Sequence, residues 1–235
     1  AIYRKLYLFF DCTFISDSFS CRLDKGSHKA IKRFIDFGRT VSKNNTKTCW
    51  ILKCDVRKFF ASINQSVLMN ILELYIPNND ILCLLENIVT SFPSGLPLGN
   101  LTSQLLVNIY MNEFDQFMKN KIKVKYYIRY ADDFMIFSHN KIYLKSQIQH
   151  ISKFLERTLG LSLHPNKVFI KTLASGVDFL GWVHFSDHRV LRTSTKKRMM
   201  KRIHENPKPE VFASYLGMRS HGNTHKLQMI YYHQC

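Results

Sequence analysis

The sequence predicts an α+β fold built around an antiparallel β-hairpin. Residues 126–138 form two short aromatic and apolar runs broken by Ala131-Asp132-Asp133, which is typical of a hairpin with a tight polar turn. Trp50 to Val56 is another apolar run, with the length of a buried strand. Apolar side chains in residues 101–119 recur at three- and four-residue spacing, which indicates a long helix.

Other segments complete the mixed pattern. The first segment, 2–19, is predicted to be a strand or helix that ends in a polar loop. Further helices are predicted over about 28–41, 62–75, 80–90 and 142–159. The candidate N-cap residues are Ser27, Ser62, Asp80 and Asn100, and Gly160 is a stop signal. Strands are expected within 161–170, 177–184 and 190–191. From residue 195 onward the pattern is helical and basic, with a last helical stretch at 210–233.

The charge balance favours a polyanionic partner. Lys and Arg outnumber Asp and Glu by 34 to 17 among 235 residues, a net charge of +17. Nucleic acid is the usual partner of such an excess, and a basic protein that is merely soluble is the alternative. Hydrophobic residues make up 46% of the chain, enough for a sizeable core.

Cysteine spacing and hydropathy exclude two classes of protein. The six cysteines form no Cys-x-x-Cys pair and no zinc-like spacing with His, so reduced thiols are expected rather than a disulfide or zinc framework. No apolar run reaches the roughly 18 residues that a membrane span needs, so no membrane partner is expected.

Three aspartates form the candidate catalytic and metal site. Alone, Asp132-Asp133 is explained by a solvated turn, because Asp is a common turn former. Asp55 ends the predicted strand 50–56, and it would add a third carboxylate to the hairpin tip. Such a set can hold two divalent ions, which activate a 3′-hydroxyl and stabilise a leaving pyrophosphate. Two Mg²⁺ ions are therefore the expected cofactors, with Mn²⁺ as an alternative, and the carbonyl of Val56 is a further candidate ligand.

The chain resembles reverse transcriptases over nearly its whole length. Five motifs carry the resemblance in the family's order, and Tyr130-Ala131-Asp132-Asp133 is similar to the family's Tyr-x-Asp-Asp signature. The other four are residues 55–60, 96–104, 163–167 and 179–181. The resemblance implies a right-hand polymerase with partial fingers at 1–48, an antiparallel-sheet palm at 49–185 and a short basic helical thumb at 186–235. A helical fingers-side insertion is expected at about 62–100 within the palm.

The resemblance also implies a site for a deoxynucleoside triphosphate. Phe60 matches the steric gate that excludes a 2′-hydroxyl, with an ordinary core Phe as the alternative. Lys167 matches a lysine near the triphosphate, with a lone surface lysine as the alternative. Leu98, Gly99 and Gln104 lie in the loop and helix that support the nascent base pair in the family.

Primer and template contacts are implied elsewhere in the chain. Phe179, Leu180 and Gly181 resemble the primer grip, although a hairpin core explains Phe179 and Leu180 equally well. Arg22 and Lys25 resemble a basic cluster of the fingers that touches template phosphate, with a solvated loop as the alternative. The basic helix that holds Lys197 and Lys201 would be the thumb, which grips the duplex through phosphates.

One departure from the family pattern narrows the expected function. Most relatives have Gln-Gly-x-x-x-Ser-Pro where this chain has Leu98 and Gln104 at the first and last positions. This departure resembles the reverse transcriptases of diversity-generating retroelements, which copy a template RNA with errors at adenines. Leu cannot hydrogen-bond near the incoming nucleotide, and the loss of one such bond is worth on the order of 1 kcal/mol.

We therefore expect an error-prone RNA-directed DNA polymerase of a diversity-generating retroelement. A group II intron-like or phage-defence reverse transcriptase, or a catalytically silent fragment that only binds RNA, are the alternatives. The expected partners are template RNA, cDNA primer or product, deoxynucleoside triphosphates and a basic accessory protein. Bacterial, archaeal or phage-encoded origin and a cytoplasmic location are expected. Because the first residue is not Met, we also expect the chain to be truncated within the fingers.

Overall fold

A computed structural model describes residues 2–206, and it confirms the predicted α+β class. The α-helices are α1 (Ile2–Phe10), α2 (Gly26–Ser42), α3 (Phe59–Ser62), α4 (Gln65–Tyr75), α5 (Asn79–Thr90), α6 (Leu101–Gln116), α7 (Lys141–Leu159) and α8 (Thr193–Glu205). The strands are β1 (Trp50–Asp55), β2 (Tyr127–Tyr130), β3 (Asp133–Ser138), β4 (Phe169–Thr172), β5 (Val177–Phe179), β6 (Trp182–His184) and β7 (Arg189–Leu191). A π-helical turn, Phe117–Lys121, extends α6.

Four antiparallel strands form the central sheet, in the order β2-β3-β1-β4. The register places Asp55 of β1 opposite Asp133 of β3, and Trp50 opposite Ser138 at the other end of the same two strands. The sheet therefore has an acidic end, which holds the predicted catalytic residues, and an opposite end, where α2 finishes and α7 begins.

Alternating side chains of the central strands fill two separate hydrophobic clusters. Leu52 and Phe134 face a cluster that is covered by α1, α4, α5, α6 and α7. Ile51 and Met135 point the other way, into a cluster shared with α2, α8 and the second sheet. Both strands are thus buried on two faces, and their positions are fixed by packing on each side.

The second sheet, β5-β6-β7, lies beside α2 and crosses residue 186, where the sequence predicts the start of the thumb. Met199 and Ile203 of α8 belong to the same hydrophobic cluster as this sheet. The division into fingers, palm and thumb stays a prediction. The predicted helical stretch at 210–233 lies outside the described residues.

Three of the predicted helix caps are wrong, because a neighbouring side chain or backbone does the capping. Asn64 accepts a hydrogen bond from the Val67 amide and starts α4, whereas Ser62 ends α3. Asn78 caps α5, and Asp80 lies inside its first turn, where a carboxylate suits the helix dipole. Ser27 lies inside α2, which begins at Gly26. The N-cap residue is Lys25, and its side chain makes no capping hydrogen bond.

Other local predictions have mixed outcomes. Asn100 caps α6 as predicted, and Gly160 ends α7 with a positive φ of 60°. The segment 2–10 is a helix rather than a strand. Within 161–170 only one strand forms, β4, while Leu163 makes a single bridge to Val56. The cysteines of residues 2–206 are free thiols, and no helix in that part of the chain is long and apolar enough to cross a membrane.

Candidate active site

The three predicted catalytic aspartates lie together at the acidic end of the central sheet. Asp55 is the last residue of β1, and Asp133 is the first residue of the neighbouring β3. Asp132 occupies the turn between β2 and β3, and its carbonyl accepts a hydrogen bond from the Val56 amide at 3.3 Å. The two strands and the turn thus bring together carboxylates that are far apart in the sequence.

A buried arginine, Arg129, supports the turn between β2 and β3 through hydrogen bonds. The Arg129 guanidinium is fully buried and forms an ion pair of 2.6 Å with Asp115 of α6. It also donates to the Ala131 carbonyl at 3.1 Å, to Asn108 at 3.3 Å and to the Ser18 hydroxyl at 3.0 Å. Because Ala131 has a positive φ of 57°, the turn needs such support to keep its strained backbone.

Two lysines form ion pairs with two of the three aspartates, Asp133 and Asp55. Lys53 Nζ lies 2.7 Å from Asp133 Oδ2, with only 12% of the lysine side chain exposed. Lys167 Nζ lies 3.1 Å from both carboxylate oxygens of Asp55 and is 54% exposed. The resemblance predicted Lys167 for this region. Lys53 was missed, although it stands two residues before Asp55 in a strand and must therefore share its face.

Burial makes the hairpin carboxylates hard to ionise. It raises the pKa of Asp133 to about 6; repulsion from Asp55 and Asp132 adds to this effect, while Lys53 acts against it. Burial also raises the pKa of Asp132. Asp133 Oδ1 is buried without a hydrogen-bond partner in the part of the chain that the structure describes. These carboxylates are therefore held at a cost that a further cation would reduce.

The donor set fits a divalent metal, although the carboxylates are not arranged around one. In residues 2–206 no group of three or more His, Cys, Asp and Glu side chains has the geometry of a metal centre. Lys53 and Lys167 instead hold Asp133 and Asp55. The orphaned Asp133 Oδ1 and the concentration of hard carboxylate oxygens are what Mg²⁺ favours. The role of the Val56 carbonyl as a ligand stays a prediction.

A groove of about 590 Å³ opens over the aspartates. Its near wall holds Lys53 and Lys167 beside the three carboxylates. Its far wall is formed by Asp178 of β5, by Leu180 and Gly181 of the turn between β5 and β6, and by Arg192, the residue just before α8. Arg192 is paired with Asp178 at 2.8 Å, a pair that the sequence analysis missed. Lys53 joins the walls by donating to the Asp178 carbonyl at 2.7 Å.

The predicted primer grip is divided between the groove and the core. Leu180 and Gly181 line the groove and form its tight turn, with φ values of 51° and 84°. Phe179 is fully buried and stacks on Phe34 at 5.4 Å between ring centroids. The prediction that Phe179 presses on a primer therefore does not match its place, because a buried ring has no free face. Its place in the core supports the turn instead.

Of the five predicted nucleotide-binding residues only Lys167 lines the groove, and the other four lie around one loop outside its lining. Phe60 is half-buried against Phe59, and its carbonyl accepts from the Leu96 amide at 2.9 Å. Gly95 has a positive φ of 62°, and a Cβ there would overlap the Phe60 carbonyl. The loop that follows Gly95 carries Leu98 and Gly99, and Leu98 is 78% exposed.

Gln104 lies in the first turn of α6, where its backbone N–H donates to the backbone carbonyl of Asn100 at 3.1 Å. The loop and the start of α6 are therefore tied to the backbone of Phe60 through Leu96. The binding roles of Phe60, Leu98, Gly99 and Gln104 stay predictions.

The two predicted template contacts of the N-terminal region differ in accessibility. The side chain of Arg22 is only 6% exposed and is paired with Asp11 at 2.7 Å. Its guanidinium also donates to the carbonyls of Ile15 and Ser18. Arg22 therefore holds a loop together, and its burial leaves little of the guanidinium accessible to a phosphate. Lys25 is half-buried and donates to the Ser16 carbonyl at 2.8 Å, and burial lowers its pKa.

Lys197 and Lys201 project from the exposed face of α8. Lys201 lies 3.5 Å from Glu205 one turn further on, and both side chains are exposed. Such a pair is weak, so Lys201 remains accessible to a phosphate. Their role as duplex contacts stays a prediction.

Comparison with known proteins places this geometry in a family. The family model described as "Reverse transcriptase (RNA-dependent DNA polymerase)" matches residues 3–184. The "Putative COX1/OXI3 intron 2 protein" of Saccharomyces cerevisiae is 24% identical over 209 residues, which cover 60% of this chain and 24% of that protein. Protein YkfC of Escherichia coli K12 is 24% identical over 239 residues, with 81% of this chain and 59% of YkfC covered. The chain thus spans less than two thirds of each relative.

Solved structures give the same fold. Telomerase from Candida albicans, in complex with a TWJ fragment of telomeric RNA, has a TM-score of 0.60 at 13% identity; 81% of this chain and 36% of that chain are covered. Apo telomerase from Candida tropicalis, truncated from its C-terminal domain, has a TM-score of 0.62 at 13% identity, with coverage of 81% and 45%. The predicted right-hand polymerase fold is therefore confirmed. Since the matching family model covers most of the sequence, the chain belongs to the reverse transcriptase family.

Proposed function

We propose that this chain catalyses RNA-directed DNA synthesis from deoxynucleoside triphosphates. The observation that carries the proposal is the meeting of Asp55, Asp132 and Asp133 at one end of the central sheet, inside the region that matches the family. A primer end and a triphosphate would meet in the groove above them. Its far wall, with Leu180 and Gly181, offers a turn on which a primer backbone can lie.

The three aspartates and the Val56 carbonyl are the residues that would hold two Mg²⁺ ions, or Mn²⁺ in their place. When bound, the ions lower the pKa of the attacking 3′-hydroxyl and stabilise the negative charge of the leaving pyrophosphate. Asp133 Oδ1, which is buried without a hydrogen-bond partner among the described residues, is an oxygen that would suit such an ion. Lys167, which is more than half exposed beside Asp55, would be the lysine available to the triphosphate.

The chain's own side chains would bind and orient the substrates. Lys167, more than half exposed, can donate to a phosphate oxygen as negative charge develops there. Lys53 is less exposed and remains below Asp133, where it fixes the carboxylate and ties β1 to the far wall. Phe60 would lie under the sugar and exclude a 2′-hydroxyl. Replacing Phe60 by Ala should then raise incorporation of ribonucleotides relative to deoxynucleotides.

Primer extension on a defined RNA template tests the proposal. Purified chain, a DNA primer, the four deoxynucleoside triphosphates and Mg²⁺ or Mn²⁺ should give extended primer, and Asp132→Asn should not. Absence of extension under both metals, with RNA binding retained, would instead support the silent RNA-binding fragment. A DNA template of the same sequence establishes whether RNA is the preferred template.

Within this function we infer the error-prone subclass, that of diversity-generating retroelements. The inference rests on Leu98, whose exposed apolar side chain cannot hydrogen-bond to a nascent base pair. Leu98→Gln should lower misincorporation opposite template adenines about fivefold, the equivalent of one hydrogen bond. Leu101→Gln, another exposed apolar residue of the same region, is the matched control. An unchanged error spectrum in Leu98→Gln contradicts the inference.

Gln104→Pro is a less direct test of fidelity, because proline would remove the hydrogen bond from the residue 104 amide to Asn100. A basic accessory protein and a structured template RNA are further partners under this inference. A group II intron-like reverse transcriptase is the second candidate, favoured by the similarity to the yeast intron 2 protein. Adenine-specific errors in sequenced cDNA would favour the first candidate, and uniformly accurate copying the second.

A further inference from the structure

The end of the central sheet opposite the aspartates carries an unusual concentration of positive charge. Three chain segments meet there: 40–48 after α2, 118–126 before β2 and 138–146 at the start of α7. Together they contain eight lysines and no Asp or Glu. Seven of these lysines are exposed, and we name them the rear lysine surface: Lys43, Lys47, Lys121, Lys123, Lys125, Lys141 and Lys145.

Side chains of all three segments converge on one cavity of about 360 Å³. Lys43, Lys123, Lys125 and His139 line it. Two tyrosines, at 126 and 143, lie in the same lining and are half-buried. The cavity thus combines several cationic donors with aromatic faces, the composition of a site that binds phosphates and stacks bases.

Within residues 2–206 no lysine of the rear lysine surface forms an ion pair with an acidic side chain. Lys119, the eighth lysine of these segments, differs because it is paired with Asp17 at 3.1 Å. Lys125 and Lys141 instead lie over the rings of Tyr126 and Trp50, at 5.4 Å and 4.4 Å from the ring centroids, so their charges repel the others with no acidic side chain to compensate them.

Two local features, one electrostatic and one conformational, add to the cost of placing lysines here. The first turn of α7 contains Lys141 and no acidic residue, so a positive charge stands at the positive end of a helix dipole. Lys43 and Lys123 have left-handed backbones, with φ values of 50° and 59°. A left-handed backbone is unfavourable for a lysine, yet both of these lysines adopt it where they line the cavity. An external anion would relieve the repulsion among the lysines and between Lys141 and the helix dipole.

We propose that the rear lysine surface binds the phosphate backbone of RNA at a second site, separate from the catalytic groove. β3 separates the two ends by about 17 Å, from its length and the rise per strand residue, so the groove and the surface are distinct sites on the same hairpin. The choice of RNA among polyanions rests on the proposed function. Template RNA would then be held at two places, with the copied segment in the groove and another segment at the rear.

The test measures RNA affinity while the groove is occupied. One equivalent of a short, unlabelled primer–template duplex is added, enough to fill the groove but not a second site, and binding of a fluorescently labelled RNA hairpin is followed by anisotropy at several salt concentrations. The full chain should still bind the hairpin. The triple variant Lys43→Gln, Lys123→Gln, Lys125→Gln should bind it at least about tenfold more weakly, and its salt slope should fall by about 2 to 3, one contact for each lysine removed.

The control variant is Lys153→Gln, Arg157→Gln, which removes two cations from the far half of α7. It should change the affinity much less than the triple variant does. Equal losses in both variants, or an unchanged salt slope in the triple variant, would overturn the proposal. Binding of the chain to phosphatidylserine vesicles rather than to the hairpin would also overturn it. Because no DNA synthesis is measured, an inactive polymerase leaves this test intact.

Discussion

The two ends of the central sheet carry opposite charges and compensate them differently. At the acidic end, Asp55 and Asp133 each have a lysine within 3.1 Å, and both carboxylate side chains are mostly buried. At the opposite end, the seven exposed lysines have no acidic partner among residues 2–206. A buried charge is costly without a partner inside the protein, whereas a solvated charge is stabilised by water and is free to bind an external ligand. The difference agrees with the two proposals, catalysis at the acidic end and RNA binding at the rear lysine surface.

The largest expected effect separates catalysis from binding. Asp55→Asn should lower the rate of DNA synthesis at least about 10²-fold, because a charge that stabilises the transition state is lost. Affinity for the labelled RNA hairpin should stay within about twofold, since the rear lysine surface is untouched. Primer extension and anisotropy measure the two effects. Asp80→Asn, an exposed acid of α5, is the control; equal activity in both variants would contradict the assignment of Asp55.

Removing a lysine should have different consequences at the two ends. Lys53→Met leaves the buried Asp133 carboxylate without its cation and should lower the free energy of unfolding by about 3 kcal/mol. Lys47→Met at the rear should change it by no more than about 0.5 kcal/mol, because that side chain is exposed.

Urea unfolding in the absence of metal measures both changes. Adding Asp133→Asn to Lys53→Met should recover part of the loss, since the unpaired charge disappears. If Lys53→Met were as mild as Lys47→Met, the ion pair would be irrelevant to stability.

A smaller effect is expected from pH. Burial lowers the pKa of His184 to about 4, below the ordinary value of 6.5, so the folded ring stays neutral. Between these values the unfolded chain binds a proton that the folded chain excludes, and stability is lost as the pH falls from about 6.5 towards 4. From pH 7 to pH 5 this residue alone should cost about 2 kcal/mol.

The measurement is the difference in unfolding free energy between pH 7 and pH 5 for the unmodified chain, His184→Gln and His139→Gln. His184→Gln should lose less stability on acidification. His139 is exposed at the rear end, and its replacement should leave the pH dependence unchanged. Parallel curves for all three proteins would show that the burial of His184 has no role in the pH dependence.

The smallest expected effect is that of salt. Raising the ionic strength should stabilise the chain by less than about 1 kcal/mol, because screening weakens repulsion within the rear lysine surface. In the triple variant of the rear surface this gain should shrink. Thermal unfolding at low and high NaCl concentration provides the comparison. A gain of the same size in both proteins would place the repulsion elsewhere in the molecule.

Sequence patterns predicted the parts of the site that depend on local order. The β2–β3 hairpin and the strand that ends in Asp55 were recognisable because alternation and turn composition are local signals. The pairs of Lys53 with Asp133 and Arg192 with Asp178 were not, because they depend on which strands become neighbours. The sequence offered one signal for these pairs: Lys53 and Asp55 are two residues apart in a strand, so their side chains lie on the same face of the sheet.

Two residues predicted to contact nucleic acid are buried in the structure, for a related reason. A basic loop residue and an aromatic strand residue have the same composition whether they face a ligand or the core. Arg22 is bound to Asp11, and Phe179 is stacked in the core, so neither presents its functional group to the groove. Burial of a side chain depends on the tertiary neighbours that cover it, and a single sequence does not give these.

The buried Arg129 also has a consequence for how the molecule unfolds. Its amide donates to the Asp17 carbonyl, its carbonyl accepts from the Phe19 amide, and its guanidinium reaches Asp115 and Ala131. The N-terminal loop, α6 and the catalytic turn are thus joined at one residue and should open together as a single cooperative unit. The amide hydrogens of Phe19 and Arg129 are therefore expected to exchange with deuterium at one common rate, the rate of that joint opening.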